Sequence, residues 1–189
     1  MNKSGVLLLP GWQDSGPSHW QSRWEVEHGY ERVHQHDWMK PLRGDWAARL
    51  EEVPLDRRSQ QANVAKVVLV AHSLGCLLIA AWAAHSRNTH LVQAALLVAP
   101  GDAEREELQG LLSSWTPIVQ RTLPFPSRLV ASRNDPYCAF ERARRFSDAW
   151  GSEFIDYGEH GHINGDSGLE SWPDGQRMML ELCQDKHSP

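Results

Sequence analysis

The chain predicts an α/β fold on a parallel sheet, and three features carry that expectation. Strand-like apolar runs alternate with helical stretches along its 189 residues. Two of these runs, Val67 to Val70 and Ala94 to Ala99, are apolar at every position instead of every second one, as central strands covered on both faces require. At 67–81 an apolar strand, the pentapeptide Ala71-His72-Ser73-Leu74-Gly75 and a small-residue helical run follow one another without a linker.

Each element has its own signal. A first strand is expected over 5–9, stopped by Pro10-Gly11, then a helix over 18–27, a strand over 30–35 and a helix over 43–52. The third strand, 65–71, feeds a helix over 73–86 that is apolar nearly all round and so should be the most buried. After the strand at 94–99, a helix over 103–113 is expected. Asp102 would cap it, and Glu104, Glu106 and Glu107 suit its positive end. The strand at 127–132 precedes a helix over 138–149 with one apolar stripe, Phe140, Ala143, Phe146 and Trp150, and with Arg142, Arg144 and Arg145 on its wet face. A last strand at 153–157 and a helix at 173–184 complete the set. That helix opens at Pro173, and its expected stripe is Gln176, Met179, Leu180 and Cys183. The length suits one domain over 1–189 with a substantial core.

Composition narrows the partners. The net charge is −5 with both signs scattered and no Lys or Arg run that would track a phosphate backbone, so nucleic acid is excluded as an expected partner. Val6 to Leu9 is too short for a signal h-region or a membrane span, and the expected location is cytoplasmic. Cys76, Cys138 and Cys183 are an odd number without close spacing and read as reduced thiols. The pairs His34/His36 and His160/His162 have metal-ligand spacing, but further ligands are missing, and no metal or cofactor is expected. The first loop lacks G-x-G-x-x-G spacing and sets Trp12 where a pyrophosphate would need close backbone approach.

Ligands of open parallel sheets bind beyond the carboxyl ends of the strands, so chemistry is sought in the segments that follow each one. The strand–turn–helix at 67–81 has the layout of a nucleophile elbow, which aims Ser73 and the positive end of the next helix at the same point. Gly75 supplies the small residue needed two positions after the serine. Ala71 stands where the common pattern has a second glycine, at the expense of one methyl group. A serine hydroxyl needs a base, and the base needs a partner that fixes its tautomer. Ser73, Asp135 and His162 follow three strands in the order serine, acid, histidine. Asp102 rivals Asp135 but is explained as a helix cap; His160 and His72 rival His162, and His72 is expected to pack behind the turn. Backbone NH groups of Leu74 and Trp12 are the expected oxyanion donors, with Gln13 the alternative to Trp12 if the loop is shifted. Gln13, Trp38 and Trp115 are candidate substrate-lining residues.

Aligned on these pieces, the sequence resembles the small α/β-hydrolases related to retinoblastoma-binding protein and bacterial YdeN, a group of compact serine hydrolases. Leu9-Pro10-Gly11-Trp12 with His19-Trp20, Asp37-Trp38 with Pro41 and Trp46, the elbow, Ala131 to Tyr137, and Gly161-His162-Ile163-Asn164 running to Trp172-Pro173 carry the likeness over nearly the whole chain. The resemblance implies Ser73 as nucleophile, Asp135 as acid and His162 as base. It also implies a compact three-layer α/β-hydrolase fold whose six-stranded, mainly parallel sheet has the order 2-1-3-4-5-6, with a minimal lid drawn from residues 100–126. The implied activity is hydrolysis of small carboxylic esters or amides, with a small-molecule substrate. Acyl transfer would use the same residues. A protein-binding module on the same fold is the reading from another class, and intact Ser73, Asp135 and His162 argue against it.

Overall fold

Six strands form one sheet in the computed structural model, which describes residues 5–60 and 66–184: β1 Val6–Leu9, β2 Glu31–Arg32, β3 Val67–His72, β4 Val92–Val98, β5 Ser127–Ala131 and β6 Glu153–Asp156. Every neighbouring pair is parallel, and the order is β2-β1-β3-β4-β5-β6, as expected. Residue 65, the expected start of the third strand, lies outside the described residues.

Successive side chains of a strand point to opposite faces, and here each face has its own core. Leu7, Leu9, Leu69, Leu97 and Leu129 face the helices α2 Arg43–Gln60, α3 Leu74–Ala83 and α4 Phe140–Trp150, with Trp46, Trp115 and Trp150 between. Val6, Leu8, Val68, Val70, Leu96 and Val130 face α1 Trp20–His28 and α5 Pro173–Gln184, where Trp20, Trp24 and Trp172 fill the gap. The result is the three-layer α/β-hydrolase architecture. Residues Leu74 to Trp82 of α3 are all buried, matching its apolar sequence.

Several boundaries differ from expectation. The second strand shrinks to Glu31–Arg32 because its only ladder is to Leu7 and Leu8; Val33 adds one bond to Leu8 before the chain leaves the sheet. Helix α2 continues past residue 52 to Gln60, across Pro54, so propensity alone does not set its end. No helix forms over 103–113. Two 3-10 turns, Glu106–Leu108 and Ser113–Trp115, replace it, because the side chains meant for its first turn are drawn into tertiary contacts. Glu104 Oε1 accepts from the Ile118 amide and its other oxygen pairs with Arg142, which also meets Asp102. In α5 the buried stripe is Gly175, Met179 and Leu182 in place of the expected set, and Leu180 is exposed. Among the described residues, no helix is long and apolar enough to cross a membrane.

Strand order reverses between β1 and its neighbours β2 and β3, which puts a crevice at the carboxyl ends of β1 and β3. The loops from those ends carry Trp12 and Ser73.

Candidate active site

At the end of β3 the backbone of Ser73 adopts φ 54° and ψ −119°, outside the regions ordinary residues favour, and its amide is held by the Val98 carbonyl at 3.0 Å. The Ser73 side chain does not cap α3, so the commonplace role of a hydroxyl at a helix start is not the one it has. Tight packing explains the small neighbours. A Cβ on Gly75 would sit 2.3 Å from the Leu9 carbonyl oxygen, and Ala71 fits fully buried between β1 and β4. The turn therefore forms with alanine where the common pattern has glycine.

Asp135 and His162 come from the loops after β5 and β6. His162 Nδ1 lies 2.9 and 3.0 Å from the two Asp135 carboxylate oxygens; the Asp135 side chain is 3% exposed and also accepts from the Tyr137 amide at 2.8 Å. A carboxylate there fixes the proton on Nδ1 and leaves Nε2 as the basic nitrogen. Two residues not singled out in the sequence build this alignment. Asn134 Oδ1 accepts from the Gly161 amide at 2.8 Å, and Ser132 Oγ accepts from the His160 amide at 2.9 Å while donating to Asn134. The Tyr137 ring meets the His162 ring edge-on with centroids 4.6 Å apart.

The rivals are accounted for. Asp102 accepts from the Glu104 amide and pairs with Arg142 at 3.3 Å. His160 donates Nδ1–H to the Tyr157 carbonyl at 2.7 Å. His72 packs its ring edge-on against that of His162, with centroids 4.7 Å apart, and donates Nε2–H to the main-chain carbonyl of His162 at 2.9 Å. Burial, aided by His19 and His162, holds its imidazole well below the ordinary range, so it is neutral. His19 is similar: burial, then the neighbouring His162 and Arg32, lower it to about 3.

Ser73, His162, Gly11, Trp12, Leu74 and Tyr137 line a common cavity of about 400 Å³. Among the described residues Ser73 Oγ has no hydrogen bond, so the contact from serine to His162 is not closed in this structure; such contacts often tighten only with substrate. Two glycines keep the hydroxyl open. A Cβ on Gly11 would fall 2.7 Å from Ser73 Cβ, and one on Gly101 would fall 3.3 Å from Ser73 Oγ. Leu74 begins α3 and Trp12 follows Gly11; no protein acceptor engages either amide among the described residues. The Gln13 amide, by contrast, is spent on the Trp38 carbonyl at 3.0 Å, which leaves Trp12 as the available donor of that loop.

Gln13 lines the cavity, but Trp38 and Trp115 do not. Trp115 is buried, donates its indole N–H to the Pro41 carbonyl at 2.9 Å and packs edge-on against Trp46, which packs in turn against Trp38. These tryptophans fill the space between helix and sheet. The cavity wall instead includes His19, Leu108 and Leu112, none of which a local motif marked beyond the His19-Trp20 pair. No group of three or more His, Cys, Asp or Glu able to hold a metal occurs among the described residues. The thiols are poor nucleophiles: burial pushes Cys138 up to about 12 and raises Cys76 further.

Comparison with known proteins shows the family and the fold. A family model described as serine hydrolase matches residues 6–181. A YdeN-like hydrolase of Pectobacterium atrosepticum is 30% identical, with a TM-score of 0.78 over 96% of this chain and 91% of that one. The ydeN gene product of B. subtilis is 17% identical, with a TM-score of 0.72 over 96% of this chain and 100% of that one. A thermophilic esterase of Thermogutta terrifontis, solved with butyrate bound, is 17% identical, with a TM-score of 0.69 over 98% of this chain and 84% of that one. No curated protein sequence matches significantly.

Proposed function

Because the chain belongs to the serine hydrolase family, we propose that it cleaves small carboxylic esters, and amides by the same route, through an acyl-enzyme on Ser73. The observation that carries this reading is the Asp135–His162 pair at 2.9 Å, facing the same cavity as a serine held in a strained turn. His162 Nε2 takes the hydroxyl proton as Ser73 Oγ attacks the carbonyl carbon, and the carbonyl oxygen becomes an anion. The amides of Trp12 and Leu74 receive that anion, each contributing about 3 kcal/mol to the transition state. On collapse the C–O bond to the leaving group breaks and His162 returns the proton to the departing alcohol. Water then repeats the sequence on the acyl-enzyme and frees the acid.

The cavity volume suits a small substrate. Its lining contains no Lys or Arg among the described residues, and Asp14 and Asp102 are neutralised from behind by Arg32 and Arg142. Neutral substrates therefore fit better than esters of dicarboxylic acids. Since a structural relative binds butyrate, p-nitrophenyl butyrate is the first substrate to assay. The direct test is labelling with a fluorophosphonate probe alongside that assay. Wild-type protein should be labelled and should release nitrophenolate, and Ser73→Ala should do neither. A folded wild-type protein that stays unlabelled overturns the proposal.

A further inference from the structure

The segment that carries Trp12 is held in a costly shape by buried polar groups that no part of the acyl-transfer chemistry uses. Gln13 and Asp14 have φ of 69° and 66°, left-handed values that a side chain makes unfavourable by roughly 1–2 kcal/mol each. Such a turn persists only if its surroundings impose it. Arg32, at the carboxyl end of β2 with 7% of its side chain exposed, supplies much of that constraint. It donates to Asp14 Oδ1 at 2.5 Å and to the Ser15 carbonyl at 3.0 Å, and it is anchored on α1 by Ser22 Oγ at 2.7 Å and Glu25 at 3.0 Å. Gln21 works from the other side. Fully buried, it donates to the carbonyls of Leu9, at the end of β1, and Val70, within β3, and accepts from Ser15 Oγ at 2.7 Å. The Trp12 indole donates to the Met39 carbonyl at 3.0 Å and so closes the remaining side.

Granted the Ser73 acyl-enzyme proposed above, we infer that Arg32 and Asp14 are positioning residues for catalysis: the hydrogen bond that Arg32 donates to the Asp14 side-chain oxygen holds the turn so that the Trp12 amide stays aimed at the developing oxyanion. Neither residue touches the reacting atoms through this contact. Arg32 is the better choice over lysine because its planar fork reaches loop and helix acceptors together. A donor that must be aimed at an oxygen that becomes anionic only in the transition state affects kcat more than KM.

The test uses Asp14→Gly, which removes the carboxylate where left-handed backbone costs glycine nothing, and Asp14→Asn, which keeps an oxygen acceptor in a residue that tolerates this backbone. With p-nitrophenyl butyrate, Asp14→Gly should lower kcat by about 10- to 100-fold with KM changed by less than about threefold, and Asp14→Asn should recover most of the loss. The rate of fluorophosphonate labelling should fall in step with kcat, since the phosphonyl oxygen draws on the same donors. Arg32→Met should reproduce the kcat loss; if it fails to fold, the Asp14 pair decides alone. A folded Asp14→Gly variant with wild-type kcat overturns the inference, as does an Asp14→Asn variant no better than glycine. Failure of wild-type protein to label overturns the acyl-enzyme itself, so the two failures are distinguishable.

Discussion

Around Ser73 the decisive quantity is free space. A methyl on Gly11 would press on Ser73 Cβ at 2.7 Å, and neither backbone can yield without turning the nucleophile. Gly11→Ala should therefore lower kcat/KM for p-nitrophenyl butyrate by about 100-fold, the scale of an ångström-sized misplacement, and should lower stability by about 1–3 kcal/mol in urea unfolding. Gly101→Ala, whose methyl would lie 3.3 Å from the hydroxyl, should act more mildly and penalise bulky acyl groups first. The proposed trio of Ser73, Asp135 and His162 could be named from sequence because each residue follows a strand, and parallel strands deliver their next residues to one edge. Arg32 and Gln21 could not. Their partners lie on β1, β3, α1 and the loop that carries Trp12, so their role exists only once these and β2 are assembled. Trp115 misled for a related reason: a tryptophan near a site reads alike in sequence whether its indole N–H meets a substrate or the Pro41 carbonyl. Trp115→Phe should leave KM unchanged and lower stability by about 1–3 kcal/mol in urea unfolding, the toll of a lost buried hydrogen bond and the space the smaller ring leaves.

Helix α3 and its turn carry the largest local constraint among the elements. Alanine normally stabilises a helix relative to glycine by about 1 kcal/mol, but a Cβ on Gly75 would lie 2.3 Å from the Leu9 carbonyl oxygen. Gly75→Ala should thus reverse the usual sign and destabilise by about 1–3 kcal/mol, measured as a lowered urea midpoint at unchanged m value. Strands β3 and β4 were readable because burial on both faces leaves an unbroken apolar run. The stretch 103–113 was not, because its composition is helical and its outcome is tertiary. Glu104 gains more from Arg142 and the Ile118 amide than a lone first turn offers, and the chain stays in short 3-10 turns. What this stretch contributes to the cavity wall is accordingly Leu108 and Leu112, from short turns instead of a helical cap.

At the scale of the whole molecule, two buried neutral imidazoles couple folding to pH. His19 and His72 are both depressed below the ordinary 6.5 of histidine, so the unfolded chain binds protons that the folded chain refuses as pH falls below about 6.5. Stability is then full above that pH and declines towards about 3, with each histidine adding up to about 1.4 kcal/mol per pH unit. Thermal midpoints recorded between pH 7 and 4 should fall more steeply for wild-type protein than for His19→Gln; equal slopes would count against this account. The sheet has a further consequence for how copies of the chain meet. At one border it ends in the two residues of β2, and at the other in β6, whose Glu153 and Asp156 are engaged by Arg128 and Arg133. A neighbour seeking to extend the ladder finds either almost no length to grip or a fringe of committed charge, which guards a crowded solution of this enzyme against fibrous growth.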